Sequence, residues 1–226
     1  MKKTPKIIAI DGPAGSGKST AALRVSQEMK WDYLNTSTLY RLIGYLADQK
    51  GLSLDTDEGL EQLIESCTPD IEWKKGIFYY LGKEVPHALH KERTGMLASK
   101  VARFAVVRTL LLPLQRKLAL LAENGVVIDG RDIGTVVFPN ADLKIFMIAD
   151  LQTRAERRYK QLKEKEFTPL PTIQDLMKEM KRRDEQDSQR SHAPLVKASD
   201  AIEMDTSSLS IEDCVLRIVQ MIKILQ

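Results

Sequence analysis

Lys6-Ile7-Ile8-Ala9-Ile10-Asp11-Gly12-Pro13-Ala14-Gly15-Ser16-Gly17-Lys18-Ser19-Thr20 is the stretch on which the reading of this chain turns. Its first five residues form a short, β-branched apolar run, the pattern of a strand buried on both faces of a parallel sheet. A glycine-rich turn follows. From Ser19 to Lys30, good helix formers carry spaced small or apolar positions at Ala22, Val25, Ser26 and Met29. Strand, loop and helix thus frame a G-x-x-x-x-G-K-S pattern. Each residue type suits one task, the holding of a polyphosphate. Glycines permit backbone angles and close approaches that side chains block. Backbone N–H groups form a concave nest, and the helix start turns its positive end toward the same anion. Lys18 can neutralise the terminal phosphates, and the Ser19 hydroxyl suits Mg²⁺. Gly12, Pro13, Ala14, Gly15, Ser16, Gly17, Lys18, Ser19 and Thr20 are therefore the expected contacts for ATP, with Mg²⁺ at Ser19.

Outward from the loop, strands and helices alternate. Trp31–Leu34 reads as a second strand and Thr38–Lys50 as a helix. Val126–Asp129 and Leu143–Ile148 read as further buried strands, Asp150–Lys165 and Thr172–Arg190 as charged helices, and Ala201–Met204 as the last strand. Ser210 caps a final amphipathic helix. The alternation predicts one α/β domain over 1–226, a three-layer core around a parallel sheet. Two hydrophobic runs flank Lys74-Lys75-Gly76, a hairpin signal. An antiparallel β insert is expected at about 63–90, with core at 1–62 and 91–226. Residues 94–123 read as helical, with Pro113 as a possible break point. A short helical lid is expected at about 150–172.

Composition limits the function classes. Lys+Arg total 34 against Asp+Glu 31, a balance that does not point to nucleic acid. Cys67 and Cys214 have no metal-ligand spacing and read as reduced thiols. The apolar run after Lys2-Lys3 is too short for a signal peptide, and no stretch reaches membrane-spanning length. The expectation is a soluble cytoplasmic monomer. His87, His90 and His192 read as surface residues, and Trp31 and Trp73 as packing.

A phosphate loop alone does not separate kinases from switches. The chain lacks an NKxD-type guanine-reading motif, and it carries arginines suited to a second phosphate. Arg41 follows the second strand. Arg131 sits at the carboxyl end of Val126–Asp129, where α/β proteins bind ligands. Arg154, Arg157 and Arg158 share one helix, and Arg183 and Arg190 lie on one face of the next, with Asp187 between them. On periodicity alone, the two helical groups also fit a solvated, salt-bridged face.

Ile8–Lys18, Val127–Pro139, Arg154–Arg158 and the segment from Arg183-Asp184 to Ala193-Pro194-Leu195 resemble bacterial cytidylate kinases, in order over nearly the whole chain. The stretch Asp129–Pro139 is the most specific. The resemblance implies transfer of the ATP γ-phosphoryl to CMP or dCMP. It places Lys18, Arg131 and Arg183 around the phosphates, with Arg41 on the acceptor phosphate. It sets Arg154, Arg157 and Arg158 over ATP, and Asp132, Ser99 and Arg108 against cytosine. Asp187 and Arg190 match the sugar-binding pair, and Thr36 is kept in kind. Two segments depart from the family pattern. Asn35-Thr36-Ser37-Thr38 lacks a carboxylate and a glycine, and Leu89-His90 stands where an Ile-Arg pair is usual. Two rival readings remain: another nucleoside monophosphate kinase of the uridylate or adenylate type, and an ATP-dependent switch without an acceptor.

Overall fold

A computed structural model describes residues 4–85, 89, 92–164 and 168–225. His87, His90 and parts of the expected insert and lid lie outside them.

Five strands form the main sheet: β1 (Lys6–Asp11), β2 (Asp32–Asn35), β6 (Gly125–Gly130), β7 (Leu143–Ile148) and β8 (Ile202–Asp205). They lie in the order β2-β6-β1-β7-β8, all parallel. Alternation along β1 explains the three layers. Ile7 and Ala9 face one core, with Val126 and Ile128 of β6 and residues of α2 (Ser37–Gln49), α3 (Leu60–Cys67), α4 (Glu92–Val101) and α5 (Ala105–Ala119). Ile8 and Ile10 face the other, against α1 (Lys18–Met29) and α8 (Ile211–Ile224). Both faces are covered, so β1 reads as a continuous apolar run. α6 (Leu151–Glu164) and α7 (Ile173–Ser188) pair separately around Ala155, Leu162, Leu176 and Met180.

Several sequence expectations shift. Residues 60–67 are helical, and the antiparallel strands begin later: β3 (Ile71–Lys74), β4 (Ile77–Tyr80) and β5 (Lys83–Glu84). Lys75 and Gly76 both have positive φ, as the twist of a tight hairpin favours. Leu81 and Gly82 repeat the conformation, so the second turn starts one residue before the expected Gly82-Lys83. Pro113 lies inside α5 without ending it. It is exposed, so water can satisfy the carbonyl that loses its partner. The helix break falls instead at 102–104, where Phe104 is extended. α7 ends at Ser188, which leaves Arg190 in the irregular segment beyond it. The caps agree with the sequence: Thr172 and Ser210 accept from the N–H groups of Asp175 and Asp213.

The carboxyl ends of β1, β2 and β6 meet in register, with Asn35 opposite Asp129 and Asp11 opposite Gly130. Gly12 leaves β1 at φ 148, where a Cβ would lie 2.1 Å from the Met147 carbonyl oxygen. No side chain fits there. After β6 the chain makes one π-type turn, Ile133–Val137, where no helical element was expected. Asp11 holds it. Its carboxylate accepts from the N–H groups of Ile133 (2.9 Å) and Gly134 (2.7 Å).

Burial pushes the Asp11 carboxyl from 3.8 up to about 6, against the pull of those two donors. The native state therefore holds this proton more tightly than the unfolded chain. The stability linked to it is greatest below about pH 4 and is lost as pH rises through 6. In urea titrations, wild type should lose up to about 3 kcal/mol relative to Asp11→Asn between pH 4 and 7. A difference that does not vary with pH would contradict this.

Candidate active site

A cleft of about 300 Å³ opens over the strand ends. One wall is the phosphate loop and the start of α1. Ala14, Gly15, Gly17, Lys18, Ser19 and Thr20 line it, and Gly12, Pro13 and Ser16 do not. The Pro13 carbonyl accepts from Ser16 Oγ (3.1 Å) and Lys18 Nζ (3.0 Å), closing the loop on itself. Ser16 is buried, and its carbonyl accepts from Thr206 Oγ1 at 3.0 Å.

The other walls come from α2, α4, α5, the end of β6 and α7. They bring Thr36, Arg41, Ser99, Arg108, Arg131, Asp132, Arg183, Asp187 and Arg190 to the same cleft. Arg108 and Asp132 form an ion pair at 2.5 Å, both side chains buried, with the Tyr40 ring 5.4 Å from the guanidinium. Asp187 binds Arg131 Nε at 3.1 Å and Arg190 Nη1 at 3.4 Å. Although Arg190 lies beyond α7, this contact and a bond from Nη2 to the Ala193 carbonyl (2.8 Å) keep it at the cleft. Arg41 donates to the Leu89 carbonyl (2.9 Å) and Thr94 Oγ1 (3.2 Å).

The three arginines expected over ATP divide. Arg158 lines the cleft. Arg154 is buried, donating to the carbonyls of Ala149 (3.0 Å) and Ala14 (3.2 Å) and pairing with Asp184 at 2.7 Å. Arg157 donates to Thr206 Oγ1 (3.1 Å) and the Thr206 carbonyl (2.6 Å). These two brace the phosphate loop from outside. Helical spacing placed all three on one charged helix but could not show which way each points.

The departure at Asn35 has a local explanation. Its Oδ1 accepts from Ser37 N–H (3.0 Å) and Ser37 Oγ (2.5 Å), a turn that leads into α2. Thr36 keeps its place, donating from Oγ1 to the Asp129 carbonyl at 2.9 Å. Sequence reasoning passed over Asp129, Tyr33, Tyr40 and Thr206. Asp129 ends the same strand that presents Arg131, a positional signal. The two tyrosines and Thr206 carry none. Trp73 is buried in the core, and Trp31 lies against Gly125, where a Cβ would meet its ring at 2.5 Å. Both indoles pack, as expected. Cys67 and Cys214 are buried free thiols.

Charge decides what the cleft can hold. Burial and the neighbouring Arg131 push the Lys18 ammonium well below its usual value. The same two causes bring Arg183 down to about 10. Burial, then Arg158 and Arg131, lower Arg41; burial, then Arg108, lower Arg190. Against the cost of burial, Arg131, Arg183 and Arg190 hold the Asp187 carboxyl below its ordinary range. The Nε atoms of Arg108, Arg183 and Arg190 are sealed from solvent and have no partner among the described residues. Lys18, Arg41, Arg131 and Arg183, like charges brought to one cleft, fit a polyanion. Ala14, Gly15, Gly17 and Lys18 of the loop line the same space, so the residues present fit a nucleotide polyphosphate.

A family model described as cytidylate kinase matches residues 8–224. A cytidylate kinase of Stutzerimonas stutzeri is 42% identical over 224 residues, spanning 96% of this chain and 95% of its own length. One from Nitrosococcus oceani is 41% identical over 219 residues, 94% of each. Among solved structures, an uncharacterized protein from Eubacterium ventriosum aligns with a TM-score of 0.52 at 14% identity, over 96% of this chain and 98% of its own, a likeness of fold alone. The matched span takes in the phosphate loop, the Asp129–Pro139 segment and the arginines of the last charged helices, and the chain belongs to the cytidylate kinase family.

Proposed function

We propose that the chain is a cytidylate kinase, moving the γ-phosphoryl group of ATP to CMP or dCMP and releasing ADP with CDP or dCDP. The observation that carries this is the buried Arg108–Asp132 pair lining the same cleft as Lys18. Cytosine offers an N4 amine as donor and N3 and O2 as acceptors. Asp132 can accept from the amine, and Arg108 and Ser99 can donate to the acceptors. Asp187 and Arg190 suit the sugar, Arg41 the acceptor phosphate, and Arg158 the ATP side.

Transfer proceeds in line. An oxygen of the CMP phosphate bonds to the γ-phosphorus as the bond to the β–γ bridging oxygen breaks. The acceptor phosphate is already nucleophilic at neutral pH, so neither Asp129 nor Asp132 is needed as base, and no covalent enzyme intermediate forms. Lys18, Arg131 and Arg183 act on the charge spread over the transferring group. The Ser19 hydroxyl, hydrogen-bonded to the Asp129 carboxylate at 2.5 Å, is an oxygen ligand of the kind Mg²⁺ uses beside phosphate oxygens and water. When bound there, Mg²⁺ would neutralise phosphate charge. The lid around 150–172 and the insert around 63–90 serve to exclude water from the reacting centre. The reading carries with it a soluble cytoplasmic monomer that works on small nucleotides, with neither nucleic acid nor membrane as partner. The near balance of charge does not point to nucleic acid, and no described helix is long and apolar enough to cross a membrane.

Purified protein given ATP, Mg²⁺ and a panel of nucleoside monophosphates should turn over CMP and dCMP fastest. Turnover of AMP with none of CMP would overturn the cytidine assignment. Asp132→Ala should lower kcat/KM for CMP about tenfold or more while leaving the KM for ATP within about twofold. Unchanged selectivity would mean that Asp132 does not read the base.

A further inference from the structure

We propose that Tyr33 is a positioning residue for this reaction: its hydroxyl fixes the Asp129 carboxylate, which in turn aims the Ser19 hydroxyl at the divalent cation that accompanies ATP. The inference rests on the kinase reading above.

Asp129 is gripped at three atoms. Tyr33 Oη donates to Oδ1 at 2.9 Å, and Ser19 Oγ donates to Oδ2 at 2.5 Å. Its carbonyl accepts from Thr36 N–H (3.3 Å) and Thr36 Oγ1 (2.9 Å). Three of these four donors come from β2 and the residue after it. The parallel register sets Asn35, not Tyr33, directly opposite Asp129, so the phenol reaches diagonally across from the edge strand.

The direction of the Ser19 bond matters. A hydroxyl has one proton and two lone pairs. With the proton committed to Asp129, the lone pairs of Ser19 are left for a cation. That holds only while Oδ2 stays on the side of Ser19. A carboxylate rotates about a broad torsion, and nothing in its own backbone prevents the swing. The bond from Tyr33 to the other oxygen prevents it. A group that hydrogen-bonds a metal ligand commonly sets the metal's affinity, and Asp129 holds that place, with Tyr33 behind it.

The ring and the hydroxyl of Tyr33 have separate jobs. The ring packs against the core that α1 and α8 cover. Tyr33→Phe keeps that packing and removes only the donor. It should raise the Mg²⁺ concentration for half-maximal rate about tenfold at saturating ATP and CMP. The KM for CMP should not move. In calorimetry, Tyr33→Phe should weaken binding of ADP with Mg²⁺ and leave metal-free ADP unchanged. In the double variant with Ser19→Ala, Tyr33→Phe should add nothing to the loss from Ser19→Ala alone. Equal weakening of both forms of ADP would show general damage and overturn the proposal, as would an unchanged Mg²⁺ requirement or additive losses. An enzyme that preferred another monophosphate but showed the same cation effect would defeat the cytidine reading and leave this one standing.

Discussion

Lys18, Arg131 and Arg183 repel one another, and their shared cleft strips away water that would screen them. Asp129 and Asp187 offset part of this, but Asp187 is divided between Arg131 and Arg190, and Asp129 is engaged by Ser19 and Tyr33. The remaining positive charge is what the rest of the structure serves. A site built this way gains most when a polyphosphate enters. It gains more still when negative charge spreads over a group in transit between two nucleotides.

The fold pins the cations while offsetting only part of their charge. Parallel pairing brings the ends of β1, β2 and β6 together, and Asp11 anchors the turn that follows Arg131 and Asp132. Arg154 and Arg157 hold the phosphate loop and the end of β8 from behind, binding Ala14 and Thr206, and Thr206 binds Ser16 in turn. Asp129 is the shared point. Its carboxylate meets the donor side through Ser19, and its carbonyl meets the acceptor side through Thr36.

Much of this was legible in the sequence. The phosphate loop shows itself because its glycines and lysine occupy consecutive positions between a strand and a helix. The three layers show in β1, where continuous burial on both faces requires an unbroken apolar run. Asp132, Arg108 and Ser99 were named through a resemblance; their spacing of tens of residues carries no signal by itself. Other features stayed hidden because they depend on contacts between distant segments. Whether an arginine on α6 points into the cleft or behind it is fixed by Ala149, Thr206 and Asp184, not by helical period. The grip of Tyr33 on Asp129 joins residues 96 apart. Pro113 misled because its effect depends on exposure, which pattern alone does not reveal.

The central claim is that one cleft holds two nucleotides with their phosphates facing each other across Lys18, Arg131 and Arg183. A bisubstrate compound joining adenosine and cytidine through five phosphates tests it directly by calorimetry. One molecule should bind per chain and exclude both ATP and CMP. Displacement of ATP while CMP still binds at full stoichiometry would contradict the account.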